Sequence, residues 1–137
     1  GVFEFGKARI GVMICYEDII PGFTRRLAGK EPNILINVTN DAWFGKTSEP
    51  YQHLALSAMR AIENRLFLVR STNTGISAFI DPAGRIVSKT DVYEPETLTG
   101  EVALMSVETV YRKYGDIFAY GAVVVSLVFS LLAFRKK

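Results

Sequence analysis

ARIGVMICYEDIIPGFTRRLAGKEPNILINV, residues 8–38, is the stretch that decides the fold class. Residues 8–15 are a short apolar run of the kind that forms a buried strand. Pro21 suits the first turn of a helix and Gly29 suits its end, so residues 21–28 read as a short helix. Residues 33–38, NILINV, are a second apolar run and a second buried strand. Two strands joined through a helix in so few residues imply parallel pairing with a right-handed crossover.

Outward from this unit, residues 39–49 form a loop rich in Asn, Asp, Gly, Thr and Ser. Residues 50–65 read as a helix with Leu54, Ala58, Ala61 and Ile62 on one face. Residues 66–71 and 75–80 read as strands, and the turn Asp81-Pro82-Ala83-Gly84 leads into a strand over residues 85–89. Residues 90–100 read as a loop and residues 101–106 as a last short strand. The order β-α-β-loop-α-β-β-β fits an α/β sandwich. Two helices are too few to cover such a sheet on both sides, so residues 1–115 read as half of a sandwich.

Composition narrows the class. The chain has 137 residues, 49% of them apolar and 22% charged, which suits one domain and argues against disorder. A single cysteine excludes an internal disulfide, and one cysteine with one histidine cannot build a zinc finger or a thioredoxin-type pair. A net charge of +2 calls for no nucleic acid. Arg135, Lys136 and Lys137 supply three of the 16 basic residues, and without them the chain is slightly acidic. This basic tail follows IFAYGAVVVSLVFSLLAF, Ile117–Phe134, an uncharged run of 18 residues. A helix of that length extends about 27 Å, close to the hydrocarbon thickness of a bilayer. Residues 116–137 are therefore read as a transmembrane helix with a basic cytoplasmic tail, which places residues 1–115 on the outer side.

Cys15 ends its strand where ligands gather in open α/β sheets, at a carboxyl end. The residues alone leave two readings, a nucleophile near the start of the next helix or a structural cysteine; the acidic neighbours Glu17 and Asp18 oppose an unaided thiolate. His53 is the sole histidine, either a base for Cys15 or a hydrogen-bonded structural residue on a different face from Leu54 and Ala58. Arg60, Glu63, Asn64 and Arg65 read as a solvated helix end with surface ion pairs. Asn37, Asn40, Asp41, Trp43 and Phe44 place two aromatics among turn formers, as a ligand or lipid contact or as a loop anchor.

The resemblance becomes specific in the order of these segments. Cys15-Tyr16-Glu17-Asp18 is followed by Asn40-Asp41-Ala42-Trp43-Phe44-Gly45, Gln52-His53, Arg60-Ala61-Ile62-Glu63-Asn64-Arg65 and Asn73-Thr74-Gly75-Ile76-Ser77. The chain resembles the C-terminal part of the nitrilase, or carbon–nitrogen hydrolase, superfamily. Within it, the ICYED and NDAWFG segments and the final span resemble the apolipoprotein N-acyltransferase branch of bacterial inner membranes.

That resemblance implies an αββα sandwich with a Glu-Lys-Cys triad, of which this chain holds the C-terminal half. It implies that Cys15 is the nucleophile, that Tyr16 and Glu17 support it, and that Trp43 and Phe44 belong to an apolar flap at a lipid entrance. A phospholipid would donate its sn-1 acyl chain to Cys15 as a thioester, and the N-terminal amine of a diacylglyceryl-cysteine apolipoprotein would accept it. The implied partners are these two lipids and the membrane, with no nucleic acid, and neither metal nor organic cofactor is implied. The domain would face the periplasm. The family's base glutamate and lysine lie upstream of the cysteine; Glu4 and Lys7 sit too close to Cys15 to match them and take neither role. The chain is therefore expected to be a C-terminal fragment, inactive alone. A membrane-anchored amidase and a non-catalytic remnant are the alternatives.

Overall fold

The computed structural model describes residues 1–135; Lys136 and Lys137, two of the three basic residues expected in the tail, lie outside the described residues. The sheet has six strands in the order β1 (Val2–Phe5), β2 (Ala8–Ile14), β3 (Ile34–Thr39), β4 (Leu68–Thr72), β5 (Ala78–Ile80) and β6 (Ile86–Lys89). The central strands β2, β3 and β4 pair in parallel, and β1, β5 and β6 flank them antiparallel. Parallel pairing of β2 with β3 is the crossover expected from residues 8–38. Its connecting helix is α1 (Pro21–Ala28), with Pro at the first helical position. The second crossover, from β3 to β4, runs through α2 (Glu49–Asn64).

Period-two alternation gives the sheet two unlike faces. One cross-strand row, Met13, Asn37, Arg70 and Ala78, is fully buried under the helices. The adjacent row, Val12, Ile36, Val69 and Phe79, belongs to the opposite face and is only partly covered. Toward the carboxyl ends of β2 and β3 that face opens further, with Ile14 and Val38 exposed. A sheet with helices on one side and a partly covered apolar side is one half of a layered sandwich.

Several elements depart from the sequence reading. Residues 1–7 supply an edge strand, β1, joined to β2 through Gly6 at φ +57°. The strand expected over residues 8–15 stops at Ile14. Strands β4 and β5 begin later than expected because Leu66 and Ile76, both buried, pack into the core before the ladder starts. Residues 101–106 form no strand; the Met105 N–H donates to the Asn33 carbonyl at 2.9 Å, outside the ladder of β3.

A short helix, α3 (Val110–Tyr114), was also unforeseen. Thr109 caps it by accepting from the Arg112 N–H at 3.0 Å, and its hydroxyl donates to the Glu63 carbonyl at 2.6 Å. Arg25 of α1 donates to the Tyr111, Arg112 and Lys113 carbonyls, each at 3.0 Å. Arg112 returns the contact, donating to the Ala28 carbonyl at the end of α1 at 2.6 Å. Each arginine thus satisfies orphan carbonyls at the negative end of the other helix. After Gly115, at φ +66°, comes α4 (Ile117–Phe134). It has a mean hydropathy of 2.4, none of it is buried against the domain, and it is long and apolar enough to cross a membrane. The Ser126 hydroxyl back-bonds to the Ala122 carbonyl at 2.9 Å, as expected of a serine in an apolar helix.

Candidate active site

Cys15 is the first residue past β2 and opens a 3-10 turn, Cys15–Ile19. It is exposed and sits at φ +53°, in the left-handed region. For a residue with a side chain that conformation costs on the order of 1–3 kcal/mol and persists only where neighbours over-determine it. The Glu17 carboxylate accepts the Ile14 N–H at 2.8 Å, and the Asn37 side-chain amide donates to the Cys15 carbonyl at 3.0 Å. The chain is thereby tied down on both sides of the thiol.

Tyr16 is half-buried and donates its hydroxyl to Glu49 at 2.6 Å. Burial first, then the Glu49 carboxylate, push its phenol well above the usual tyrosine value, so it stays a donor. Its ring lies 4.8 Å from the His53 ring and 5.7 Å from Phe44. Phe44 is therefore packed beside the cysteine turn, whereas Trp43 is 84% exposed. The structure brings Cys15, Tyr16, Glu17 and Phe44 into one neighbourhood and leaves Trp43 projecting from it. Glu4 pairs with Arg9 at 3.4 Å across β1 and β2. Arg9 stands six residues before Cys15 along extended chain, so Glu4 is about 20 Å from the thiol.

Beneath the cysteine turn lies a buried ionic network. His53 is 1% exposed, with Nε2 2.8 Å from Asp18 and Nδ1 3.2 Å from Asp41. Arg70 donates to Asp18 at 3.0 Å, to Asp41 at 2.9 Å, to the Asn37 side-chain oxygen at 2.9 Å and to Ser57 at 2.9 Å. The Ser57 hydroxyl donates to Asp18 as well. Burial alone would lower the His53 pKa, but hydrogen bonds to Asp18 and Asp41 outweigh it and raise it to about 9. A carboxylate at each nitrogen places the ring to donate twice as an imidazolium, and Glu49 Oε1 is a third carboxylate oxygen, 3.7 Å from Nδ1. Asp41 is pushed up by burial but held below the usual carboxylate range by His53 and Arg70.

This settles the two readings of His53 for the hydrogen-bonded one, since neither nitrogen keeps a free lone pair. It also corrects its placement. His53 shares the inward stripe of α2 with Leu54, Ser57, Arg60, Ala61 and Asn64. That stripe is polar at its start because it lies over Asp18 and Asp41. Arg60 and Asn64 were expected on a solvated face and are buried instead; Arg60 donates to the Ile19 carbonyl at 3.3 Å and to Glu63 at 2.6 Å. The sequence reading missed Arg70 and Ser57. The signal for Arg70 was present, a charge directly after the apolar run LFLV within an expected strand.

Asp41, Glu49 and His53 also bring potential metal-ligand atoms within 4.8 Å of one another. Both His53 nitrogens are already committed and Arg70 already neutralises Asp41, so the cluster carries its own cations. Gly75 completes the floor: a Cβ there would collide with the Asp41 side chain. Glycine at that position is what lets the loop after β4 close over the carboxylate.

The carbon-nitrogen hydrolase family model matches residues 1–112. A curated relative, an apolipoprotein N-acyltransferase from Geobacter metallireducens, is 46% identical over 134 residues, which is 98% of this chain and 26% of that protein. The chain therefore spans about a quarter of that relative's length. Among solved structures, a nitrilase-superfamily amidase from Nesterenkonia AN1 superposes with a TM-score of 0.59 at 23% identity, covering 70% of this chain and 38% of that one. A variant of the same amidase, with a TM-score of 0.57 at 24% identity over 67% of this chain and 37% of that one, carries the acetamide moiety of fluoroacetamide covalently at its active-site cysteine.

Proposed function

The chain belongs to the carbon-nitrogen hydrolase family, and from that premise we propose that it carries the nucleophile-bearing half of a membrane-bound apolipoprotein N-acyltransferase. The observation that supports this most is the placement of Cys15. It is an exposed thiol held in a left-handed conformation at the end of a central parallel strand, in a chain that ends in an apolar helix.

In the first step the Cys15 thiolate attacks the sn-1 ester carbonyl of a phospholipid. The tetrahedral intermediate collapses, the ester C–O bond breaks, and the lysophospholipid leaves as an alcohol, taking the proton that the base had drawn from the thiol. In the second step the amine of a diacylglyceryl-cysteine N-terminus attacks the thioester. The C–S bond breaks, an amide forms, and a base takes the amine's proton and passes it to the sulfur, regenerating the thiol. Each step exchanges one acyl bond for another, which is covalent catalysis with ping-pong kinetics. Tyr16 and Glu17 support the nucleophile. Phe44 and Trp43 form the lipid-facing side of the entrance, Phe44 packed on Tyr16 and Trp43 reaching out. The base glutamate and the lysine for the oxyanion belong to the upstream part of the family's fold.

The chain divides at residues 115/116 into this partial catalytic domain and a span. The domain faces the periplasm of an inner membrane and the C-terminus faces the cytoplasm, following the basic residues after α4. Anchoring raises the effective concentration of both lipid substrates at the thiol.

The test is the intact mass of the full-length product of the gene, purified from its own membrane, with and without hydroxylamine. The expected result is an acyl increment that hydroxylamine removes and Cys15→Ser abolishes. Loss of the increment to water as free fatty acid, with no transfer to a lipopeptide amine, would identify an amidase-like hydrolase. No adduct at all would make the chain a remnant.

A further inference from the structure

We propose that Asn37 and Arg70 are positioning residues that hold the Cys15 thiol in register for acyl transfer; this rests on the acyl-transfer reading above. Asn37 reaches the cysteine turn directly, its amide nitrogen donating to the Cys15 carbonyl at 3.0 Å. The orientation of that amide is not free. Arg70 donates to the Asn37 oxygen at 2.9 Å, so the nitrogen must face Cys15. Arg70 in turn is held by Asp18 at 3.0 Å and Asp41 at 2.9 Å, and all four side chains are at most 2% exposed. Asp18 belongs to the same 3-10 turn as Cys15. The relay therefore grips the turn twice, at the carbonyl of its first residue and at the carboxylate of its fourth. Cys15 sits between these grips and the Glu17 bond to Ile14, in a conformation it would leave if released. The carbonyl of Cys15 touches no reacting atom, so Asn37 and Arg70 act through the geometry of the nucleophile and not on the substrate.

The experiment uses the full-length protein in membranes. Asn37→Asp keeps an acceptor for Arg70 and removes the donor to Cys15. The expected result is a kcat for acyl transfer lower by about 100-fold, as for a nucleophile misplaced by about 1 Å. The KM for phosphatidylethanolamine stays within about threefold, and iodoacetamide still alkylates Cys15 in the folded protein. Arg70→Lys keeps the charge but not the fork, and its expected signature is the same fall in kcat at unchanged KM. A kcat within about threefold of wild type in a folded variant overturns the proposal. So does failure of both variants to fold, because the contacts would then be structural. If the wild-type protein itself forms no thioester, the acyl-transfer reading fails; if it does and the variants match it, only the positioning role fails.

Discussion

Cys15 is exposed and His53 is fully buried, although His53 packs 4.8 Å from the ring of Tyr16, the residue next to Cys15. The contrast sets their chemistry. His53 holds its charge because two carboxylates surround it, and this makes folding pH-dependent. Its folded pKa, about 9, lies above the ordinary histidine value of 6.5. The stabilisation from charged His53 is therefore complete below about pH 6.5 and is lost as pH rises through about 9. Asp41, shifted down, contributes in the opposite sense, and its stabilisation is lost as pH falls through its lowered pKa. Thermal unfolding followed across pH 6 to 10 should show the melting temperature falling between about 6.5 and 9, with His53→Gln removing most of that fall. A melting temperature that is flat over this range would show that His53 is neutral in the fold.

At the scale of elements, α1 and α3 are locked by exchanged arginines. Arg25 ends α3, Arg112 ends α1, and Thr109 ties the start of α3 to the end of α2. A Cβ at Gly115 would press on the Arg25 guanidinium at 3.0 Å, and φ +66° there is a conformation that side chains rarely adopt. The lock lies immediately before α4. Arg25→Ala removes three charge-assisted bonds to carbonyls and should loosen α3 by about 2 kcal/mol. Hydrogen exchange should speed up at residues 111–115 and leave β2 and β3 unchanged; unchanged protection in α3 would mean that Arg112 and Thr109 suffice.

For the whole molecule, the helices lie on one face of the sheet and the apolar helix α4 leaves the domain without packing on it. Cys15 stands at the carboxyl end of the sheet, beside the uncovered Ile14 and Val38. If the C-terminus is cytoplasmic, as proposed above, a membrane-impermeant maleimide added to spheroplasts of the native host should label Cys15 in the full-length protein without lysis. Labelling only after lysis would invert the topology.

The sequence by itself determined the parallel crossover, the apolar helix of 18 residues and the position of Cys15 at a strand end. These follow from local periodicity, helix punctuation and run length, which act within a few turns of chain. Only the tertiary structure decided what surrounds the thiol. Arg70, Asp18, Asp41, His53 and Asn37 come from β4, the cysteine turn, the loop after β3, α2 and β3, and no segment shows by itself which partners its residue meets. Their charges can be buried because they balance one another, and balance between segments up to 52 residues apart is invisible to any local window. Arg60 and Asn64 likewise look solvated in their own helix; both are buried in the fold, where Arg60 reaches the Ile19 carbonyl, 41 residues away.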